Sequence, residues 1–291
     1  MKKYKIILVA LFLVVGFAFI VDELYAQAEE FVRIETTEGN VFIGRIIAED
    51  EQSITMRIES VGEIRIERRN ILSITKIDPD RIRDGKYWYP NPQATRYFFA
   101  PNAIGIKKGE GYYQNAWILF NNVNYGITNN FSLGGGLVPL FLFGSPGTPV
   151  WLLPKVTFPV SEDKFHLGAG AMVGGLVGVD SELGGLVYGV GTLGNRDKNL
   201  TMGVGYGFVG DEVAKQPLIN VSGMIRTGRR VYLISENYFV FESGVNGIVS
   251  FGARWTAETI AVDFGLFMPL EDTGSFIGLP WLGVTIPFGR N

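Results

Sequence analysis

The feature that most constrains the fold is a pair of long alternating stretches near the C-terminus. In residues 247–257 apolar side chains occupy odd positions from Val249 on, with small or polar residues between them; after a break at Glu258-Thr259, residues 260–270 repeat the pattern on even positions. A period of two indicates antiparallel strands with unlike faces. A strand of about eleven residues reaches roughly 36 Å, enough to cross a bilayer's hydrocarbon layer when it is tilted as barrel strands are.

Charge divides the chain near residue 90. Asp, Glu, Lys and Arg make up 23 of the 65 residues from 29 to 93, but only 27 of the 198 residues from 94 on. The last segment is too poor in charge for an ordinary water-facing surface. We therefore predict a small water-soluble domain, followed by a larger domain of which part of the outer surface is not in contact with water.

Residues 1–28 are typical of a secretory signal. Three of the first five residues are lysines, residues 6–21 are an unbroken apolar run, and Ala26 and Ala28 are small residues that offer cleavage points. The alternative is a membrane anchor, since sixteen apolar residues could nearly span a bilayer. Removal as a signal is favoured by the charged and small residues that follow the run.

Residues 29–77 read as five short strands, which predicts a small closed barrel. The spacing of Gly39 and Gly44, with Phe42 between them, resembles the first motif of Sm-like and other SH3-like small barrels. Sm proteins bind RNA, but here the formal net charge is −3 and arginines are interleaved with glutamates. We therefore predict no nucleic-acid partner and consider a periplasmic protein partner for this domain.

Residues 78–93 are rich in proline and charge and are predicted to be a linker. From Ala94 the hairpin pattern repeats, and tight polar breaks alternate with longer ones such as 143–149 and 210–216. The predicted strands number twelve: 94–107, 112–128, 131–142, 150–160, 165–177, 185–194, 200–209, 217–227, 231–241, 247–257, 260–270 and 276–288.

Residues 94–288 resemble the bacterial outer-membrane β-barrel superfamily in architecture, with an even number of strands and alternating turn lengths. The resemblance implies outer-membrane lipid as a partner and a periplasmic position for the N-terminal domain. The chain ends in PFGRN, so Phe288 is near the terminus but not at it, unlike the terminal aromatic of many such barrels. The rival is a soluble, lipocalin-like barrel with its apolar face inside; the few charges within the strands favour the membrane interpretation.

Four charged residues are predicted to share the polar face of neighbouring strands: Arg226, Glu236, Arg254 and Asp263. A turn at Glu258-Thr259 puts Arg254 opposite Asp263, and a turn near residue 245 puts Glu236 beside Arg254. Such a charge ladder in a lumen can cancel the cost of leaving bulk water, or it can select permeating solutes by charge. Acid–base chemistry is the third alternative, opposed by an arginine that keeps both carboxylates ionised.

Lys155 and His166 are expected to be further polar residues of the lumen wall. We predict no catalytic, cofactor-binding or metal-binding residue: the chain has no cysteine, and its glycine runs alternate within strands with no helix after them. The predicted function is a passive pore or a structural component of the envelope. The alternatives are an outer-membrane lipid-modifying enzyme and a soluble binding barrel.

Overall fold

The computed structural model describes residues 31–242, 244–271 and 278–289, so the predicted signal segment lies outside the described residues. The described chain separates into two compact units between Trp88 and Tyr89. No helix within those ranges is long and apolar enough to span a membrane. The two units are all-β and are described separately.

The first unit is a five-stranded antiparallel sheet with the strand order β4-β3-β2-β1-β5. Its strands are β1 (Phe31–Thr36), β2 (Val41–Glu49), β3 (Ser53–Ile58), β4 (Gly62–Glu67) and β5 (Ile71–Lys76), followed by a two-residue hairpin of β6 (Ile82–Arg83) and β7 (Lys86–Tyr87). A core that includes Ile34, Ile54 and Met56 fills one face of the sheet. Gly44 must be small, because a Cβ there would lie 2.3 Å from the carbonyl oxygen of Arg57.

The second unit is a closed antiparallel barrel of twelve strands, as predicted. The strands are β8 (Gly111–Ala116), β9 (Phe120–Gly126), β10 (Phe131–Leu137), β11 (Thr148–Ser161), β12 (Phe165–Val177), β13 (Gly184–Gly194), β14 (Lys198–Val209), β16 (Leu218–Arg226), β17 (Val231–Phe241), β18 (Val245–Thr256), β19 (Ala261–Pro269) and β20 (Leu279–Phe288). The short β15 (Glu212–Val213) only extends β14 beyond the wall. Pairing of β20 with β8 closes the barrel.

The number of strands is right, but two of the predicted strands are wrong. Residues 94–107 are not a wall strand, and residues 112–128 form two strands, β8 and β9, instead of one. The turn between these two strands was missed because it is apolar: Trp117 and Ile118 adopt positive φ angles of 51° and 67° where glycine or asparagine is usual. Packing of Trp117 on Trp281, with ring centroids 4.7 Å apart, stabilises that unusual turn.

The apolar face of each alternating strand lies on the outside of the barrel. In β18 and β19 the side chains of Phe251 and Phe264 are more than half exposed, while Arg254 and Asp263 are buried on the lumen side. Large exposed apolar side chains recur on the other wall strands in the same way. This distribution is the reverse of that expected for a lipocalin-like barrel, whose apolar face lies inside.

The two ends of the barrel differ in the length of their connections. At the end where β8 begins and β20 ends, the five connections (127–130, 162–164, 195–197, 227–230 and 257–260) have three or four residues each. At the opposite end the six connections (117–119, 138–147, 178–183, 210–217, 242–244 and 270–278) have three to ten. We call these the short-turn end and the long-loop end.

Candidate functional site: the lumen and its plug

The segment that precedes the first wall strand lies inside the barrel. Tyr89 is held at the short-turn end, where its N–H donates to the carbonyl oxygen of Arg229 at 3.2 Å. The chain then reverses within the barrel, since Arg96 and Pro101 form an antiparallel bridge and Tyr97 N–H donates to Ala100 O at 3.0 Å. It returns to the short-turn end, where Gly109 N–H donates to Gly126 O at 2.9 Å. We call residues 91–104 the plug.

Local hydrogen bonds explain why the plug folds back on itself. The side-chain oxygen of Asn91 accepts from Gln93 N–H at 3.1 Å, and that of Asn102 accepts from Ile104 N–H at 2.9 Å. Asparagine favours such turns because its side chain mimics the next peptide group. The Asn102 amide also donates to Ala94 O at 2.8 Å, which joins the two arms of the plug.

Glu236 holds the tip of the plug by its N–H groups. One oxygen of its carboxylate accepts from three successive backbone N–H groups, those of Phe98, Phe99 and Ala100, at 2.8, 2.9 and 2.9 Å. The other oxygen accepts from the Tyr238 hydroxyl at 2.8 Å. Glu236 is fully buried, so these four donors replace the water that the carboxylate gives up.

Arg254 holds the plug by its carbonyl groups. Its guanidinium donates to Gln93 O at 2.8 Å and to Tyr97 O at 2.5 Å. It also donates to Asn91 Oδ1 at 3.1 Å, and it makes two bonds, of 2.7 and 2.9 Å, to the carboxylate of Asp263. A planar fork with five donors suits this arrangement, because one edge pairs with the carboxylate while the rest binds carbonyl oxygens.

Polar side chains from around the lumen complete the attachment. Lys155 donates to Ile104 O at 3.0 Å and Asn102 O at 3.2 Å. Two lumen side chains donate to the plug: Gln114 to Phe98 O and Thr285 to Gln93 Oε1. Others accept from it: Thr192 from the N–H of Ala103, and Asn199 and Thr201 from the Tyr97 hydroxyl. Side chains from nine strands therefore bond directly to the plug: β8, β9 through Asn124, β11, β13, β14, β16 through Met224, β17, β18 and β20. Asp263 of β19 acts indirectly, through its ion pair with Arg254.

The tip of the plug also packs in an apolar cluster. The ring of Phe98 lies 5.5 Å from that of Phe267 and 5.8 Å from that of Trp281. Tyr97, Phe98 and Ala100 are buried in one cluster with residues of β8, β16, β17 and β20. This cluster and the polar attachments on either side of it hold the plug across the middle of the barrel.

The structure brings together part of the predicted charge ladder. Arg254 is paired with Asp263 across β18 and β19. Glu236 shares their lumen face but not their register: Tyr232, not Glu236, lies opposite Arg254, because Phe241 pairs with Val245 and the turn is therefore centred near residue 243. The expected bond between Glu236 and Arg254 is replaced by their separate bonds to the plug.

The remaining predicted residues lie elsewhere on the lumen face. Arg226 is at the short-turn end, where it forms an ion pair of 3.1 Å with Asp197 and donates to the Tyr232 hydroxyl at 2.6 Å. His166 is buried opposite Thr192, and its Nε2 has no hydrogen-bond partner within the described residues. Arg96 and Tyr97 were not predicted as residues inside the lumen, because both lie in residues 94–107, which were predicted to be a wall strand.

A cavity of about 230 Å³ remains in the lumen between the plug and the long-loop end. Phe99, Ala100 and Pro101 of the plug form its floor, and inward side chains of β11 to β14, β16 and β17 form its wall. Most of the lining is apolar. Arg96 is the one charged residue that lines this cavity.

The fold is similar to solved structures of outer-membrane barrels. A KdgM porin is 9% identical with a TM-score of 0.47 over 62% of this chain and 99% of that chain; a KdgM porin in complex with disordered oligogalacturonate is 8% identical with a TM-score of 0.45 over 62% and 98%. A loop L8 deletion mutant of OmpT, an outer membrane protein of Vibrio cholerae, is 13% identical with a TM-score of 0.33 over 89% and 97%. No protein-family model and no curated protein matches the chain. Because these identities and TM-scores are low, no residue role or ligand transfers to this chain.

Proposed function

We propose that this chain is an integral outer-membrane β-barrel protein whose lumen is closed by its own plug. The apolar exterior supports the membrane assignment, since strands of such barrels place apolar residues towards lipid and polar residues inside. The observation that carries the closed state is the attachment of residues 91–104 by Glu236, Arg254 and Lys155. Of the two predicted roles, a closed envelope barrel fits this geometry better than an open passive pore.

The orientation follows from the lengths of the connections. Short turns face the periplasm and longer loops face the outside in outer-membrane barrels. Since the chain enters the barrel at the short-turn end, the proposal puts the small sheet in the periplasm, where its surface is available to a periplasmic protein. Because the chain contains no cysteine, single introduced thiols report this orientation without background.

Thiol labelling on intact cells tests the orientation. Glu162→Cys lies in a short turn, and Asp211→Cys lies in a long loop; both residues are exposed. We expect a membrane-impermeant maleimide to label only Asp211→Cys in intact cells and both variants after lysis. Labelling of Glu162→Cys alone in intact cells would reverse the proposed orientation.

Enzymatic activity is not part of the proposal. A lipid-modifying barrel needs its catalytic side chains within reach of lipid at the outer surface. His166, the only histidine of the chain, lies on the lumen face, next to the short-turn end. The structure offers this residue no lipid-facing position.

Conductance in planar bilayers tests the closed state. We expect the full-length barrel to show no sustained conductance steps. Glu236→Ala removes the acceptor for three N–H groups at the plug tip and should produce flickering openings. Glu242→Ala changes an exposed glutamate just after the same strand and is the matched control, expected to stay closed. Sustained conductance of the unmodified protein would refute the proposal.

A further inference from the structure

The cavity above the plug is unusual for its position. A lumen that faces water is normally lined by polar side chains. Here the wall includes Leu153, Met172, Leu186, Val190 and Leu218, and the floor is the apolar tip of the plug. A cavity of about 230 Å³ exceeds the ~150 Å³ apolar cavity that is known to stay dry and accept benzene. Its size and lining suit an apolar chain better than water.

The charged residue that lines this cavity, Arg96 of the plug, pairs with no carboxylate among the described residues. Arg96 is 5% exposed and donates to Phe99 O at 2.9 Å and to Asn124 Oδ1 at 3.2 Å, with the Tyr112 hydroxyl beside it. All these partners are neutral, and no carboxylate pairs with Arg96 in the described part of the chain. Burial of a guanidinium without an anion costs free energy, so this cavity favours a ligand with an anionic group beside Arg96.

The carboxylates of the surrounding interior bind other partners. Among the described residues, the buried basic residues are Arg96, Lys155 and Arg254, whereas the buried carboxylates are Glu236 and Asp263. Asp263 is paired with Arg254, and Glu236 is occupied by the N–H groups of the plug. Lys155 donates only to backbone carbonyl oxygens. Arg96 is therefore the buried guanidinium with which neither of these carboxylates pairs.

We propose that the cavity binds a single-chain amphiphile with a carboxylate head, in which the carboxylate pairs with Arg96 and the hydrocarbon chain fills the apolar space. A planar carboxylate matches the fork geometry of the guanidinium, and the hydrocarbon chain packs against the apolar side chains of the cavity. This site goes beyond the proposed function but rests on the same plug, which supplies Arg96 and the floor of the cavity. Sustained conductance of the unmodified protein would refute the closed state, whereas loss of decanoate binding in a barrel that stays closed would overturn the site alone.

Native mass spectrometry of the full barrel, released from a nonionic detergent, tests the site directly. The probes are decanoate, 1-decanol and decyltrimethylammonium, which share a chain and differ in head charge. We expect one decanoate per barrel, and binding weaker by about tenfold or more for Arg96→Gln, as for loss of a charged hydrogen bond. Arg96→Lys keeps the charge and should retain more binding than Arg96→Gln.

Variants of one strand separate the cavity from the lipid-facing surface. Leu186→Trp fills the cavity, whereas Val187→Trp places the same ring on the exposed outer face one residue away. Binding of decanoate should be lost in Leu186→Trp and kept in Val187→Trp. Heat-modifiable migration on gels checks that both variants form folded barrels. Leu218 also lines the cavity, so Leu218→Trp replaces Leu186→Trp if that variant does not fold.

Three results would overturn the proposal. Equal binding of decanoate and decyltrimethylammonium would remove the role of Arg96. Equal binding in the Leu186→Trp and Val187→Trp barrels would show a lipid-facing site rather than the cavity. No decanoate bound to the folded, unmodified barrel would show that the cavity takes no such ligand.

Discussion

The small sheet and the barrel both contain ion pairs between arginine and a carboxylate, but the pair in the sheet is exposed and the pair in the barrel is buried. In the small sheet Arg57 and Glu63 approach to 2.8 Å with side chains 59% and 55% exposed. In the barrel Arg254 and Asp263 approach to 2.7 Å with side chains 0% and 2% exposed. The distances are nearly equal, so distance says little about what each pair contributes to stability. Burial decides it, because water screens the first pair and is absent from the second.

The two regions differ also in what their charges hold. The exposed pairs of the small sheet join side chains on neighbouring strands or within one turn. The buried charges of the barrel hold a separate piece of backbone, the plug, through its N–H and carbonyl groups. Loss of a barrel charge therefore leaves backbone groups of the plug with fewer hydrogen-bond partners. Loss of one charge of an exposed pair in the small sheet costs less, because water already hydrates the side chain that remains.

The largest expected effect is that of Arg254→Leu. This change leaves Asp263 buried without its cation and the carbonyl oxygen of Tyr97 without its donor, and the carbonyl oxygen of Gln93 keeps only the N–H of Arg96, at 3.3 Å. We expect the free energy of unfolding to fall by about 3–5 kcal/mol. Urea unfolding in lipid vesicles, followed by tryptophan fluorescence, measures the loss.

The double variant Arg254→Leu with Asp263→Leu is the control for this prediction. It removes the unpaired carboxylate but does not restore the donors to the plug, so it should recover only part of the loss. Full recovery would show that the bonds from Arg254 to the plug contribute little. A loss of less than about 1 kcal/mol for Arg254→Leu alone would mean that the site is hydrated like the surface pairs.

Glu236→Gln should have a smaller effect. Glutamine keeps a carbonyl oxygen for the N–H groups of Phe98 to Ala100 but loses the charge that strengthens these bonds. We expect a loss of about 1.5–3 kcal/mol, the range for hydrogen bonds to charged groups. Glu242→Gln, at an exposed glutamate, should stay within about 0.5 kcal/mol. Equal losses in the two variants would contradict the role of Glu236 in holding the plug.

In the small sheet, the pair of Arg57 and Glu63 should contribute far less. A double-mutant cycle with Arg57→Ala and Glu63→Ala should give a coupling of ~0.2–1 kcal/mol, which falls further at 1 M salt because the Debye length is then about 3 Å. Hydrogen exchange of peptides from β3 and β4 measures the stability of this sheet within the full chain. A coupling above about 2 kcal/mol that resists salt would remove the contrast between the two regions.

The wall of the barrel was predictable because each strand has one exposed face on the outside of the barrel and one face towards the lumen. The alternation of apolar and polar residues in the sequence, such as Phe251 and Arg254, reflects this asymmetry. It predicted which face is apolar, and the turn at Glu258-Thr259 predicted the pairing of Arg254 with Asp263. The register of Glu236 was not predictable, since it depends on the centre of the turn between β17 and β18. A shift of that turn moves Glu236 along the lumen without changing its face.

The plug could not be recognised because its environment is the same on both sides. Tyr97, Phe98 and Arg96 are all buried, so neighbouring positions show no contrast between an exposed face and a lumen face. A run of aromatic residues around Arg96 therefore has the composition of a wall strand. Two signals argued against a strand: Pro101, which cannot donate in a ladder, and the flanking Asn91 and Asn102, which favour turns. The compensating error at Trp117 then preserved the strand count.

The smallest expected effect on the stability of the barrel is that of removing the small sheet. Deletion of residues 29–84 removes all five strands of the small sheet, together with ion pairs such as that of Arg57 with Glu63. The bonds to the plug start at Asn91 and remain in the shortened chain. We therefore expect the shortened chain to insert into the outer membrane, to keep heat-modifiable migration and to unfold at the same urea concentration as the full chain. The Arg254→Leu change in this shortened chain should still cost about 3–5 kcal/mol, because every partner of Arg254 is retained. A shortened chain that does not form a barrel, while the full chain does, would show that the stability of the barrel depends on the small sheet.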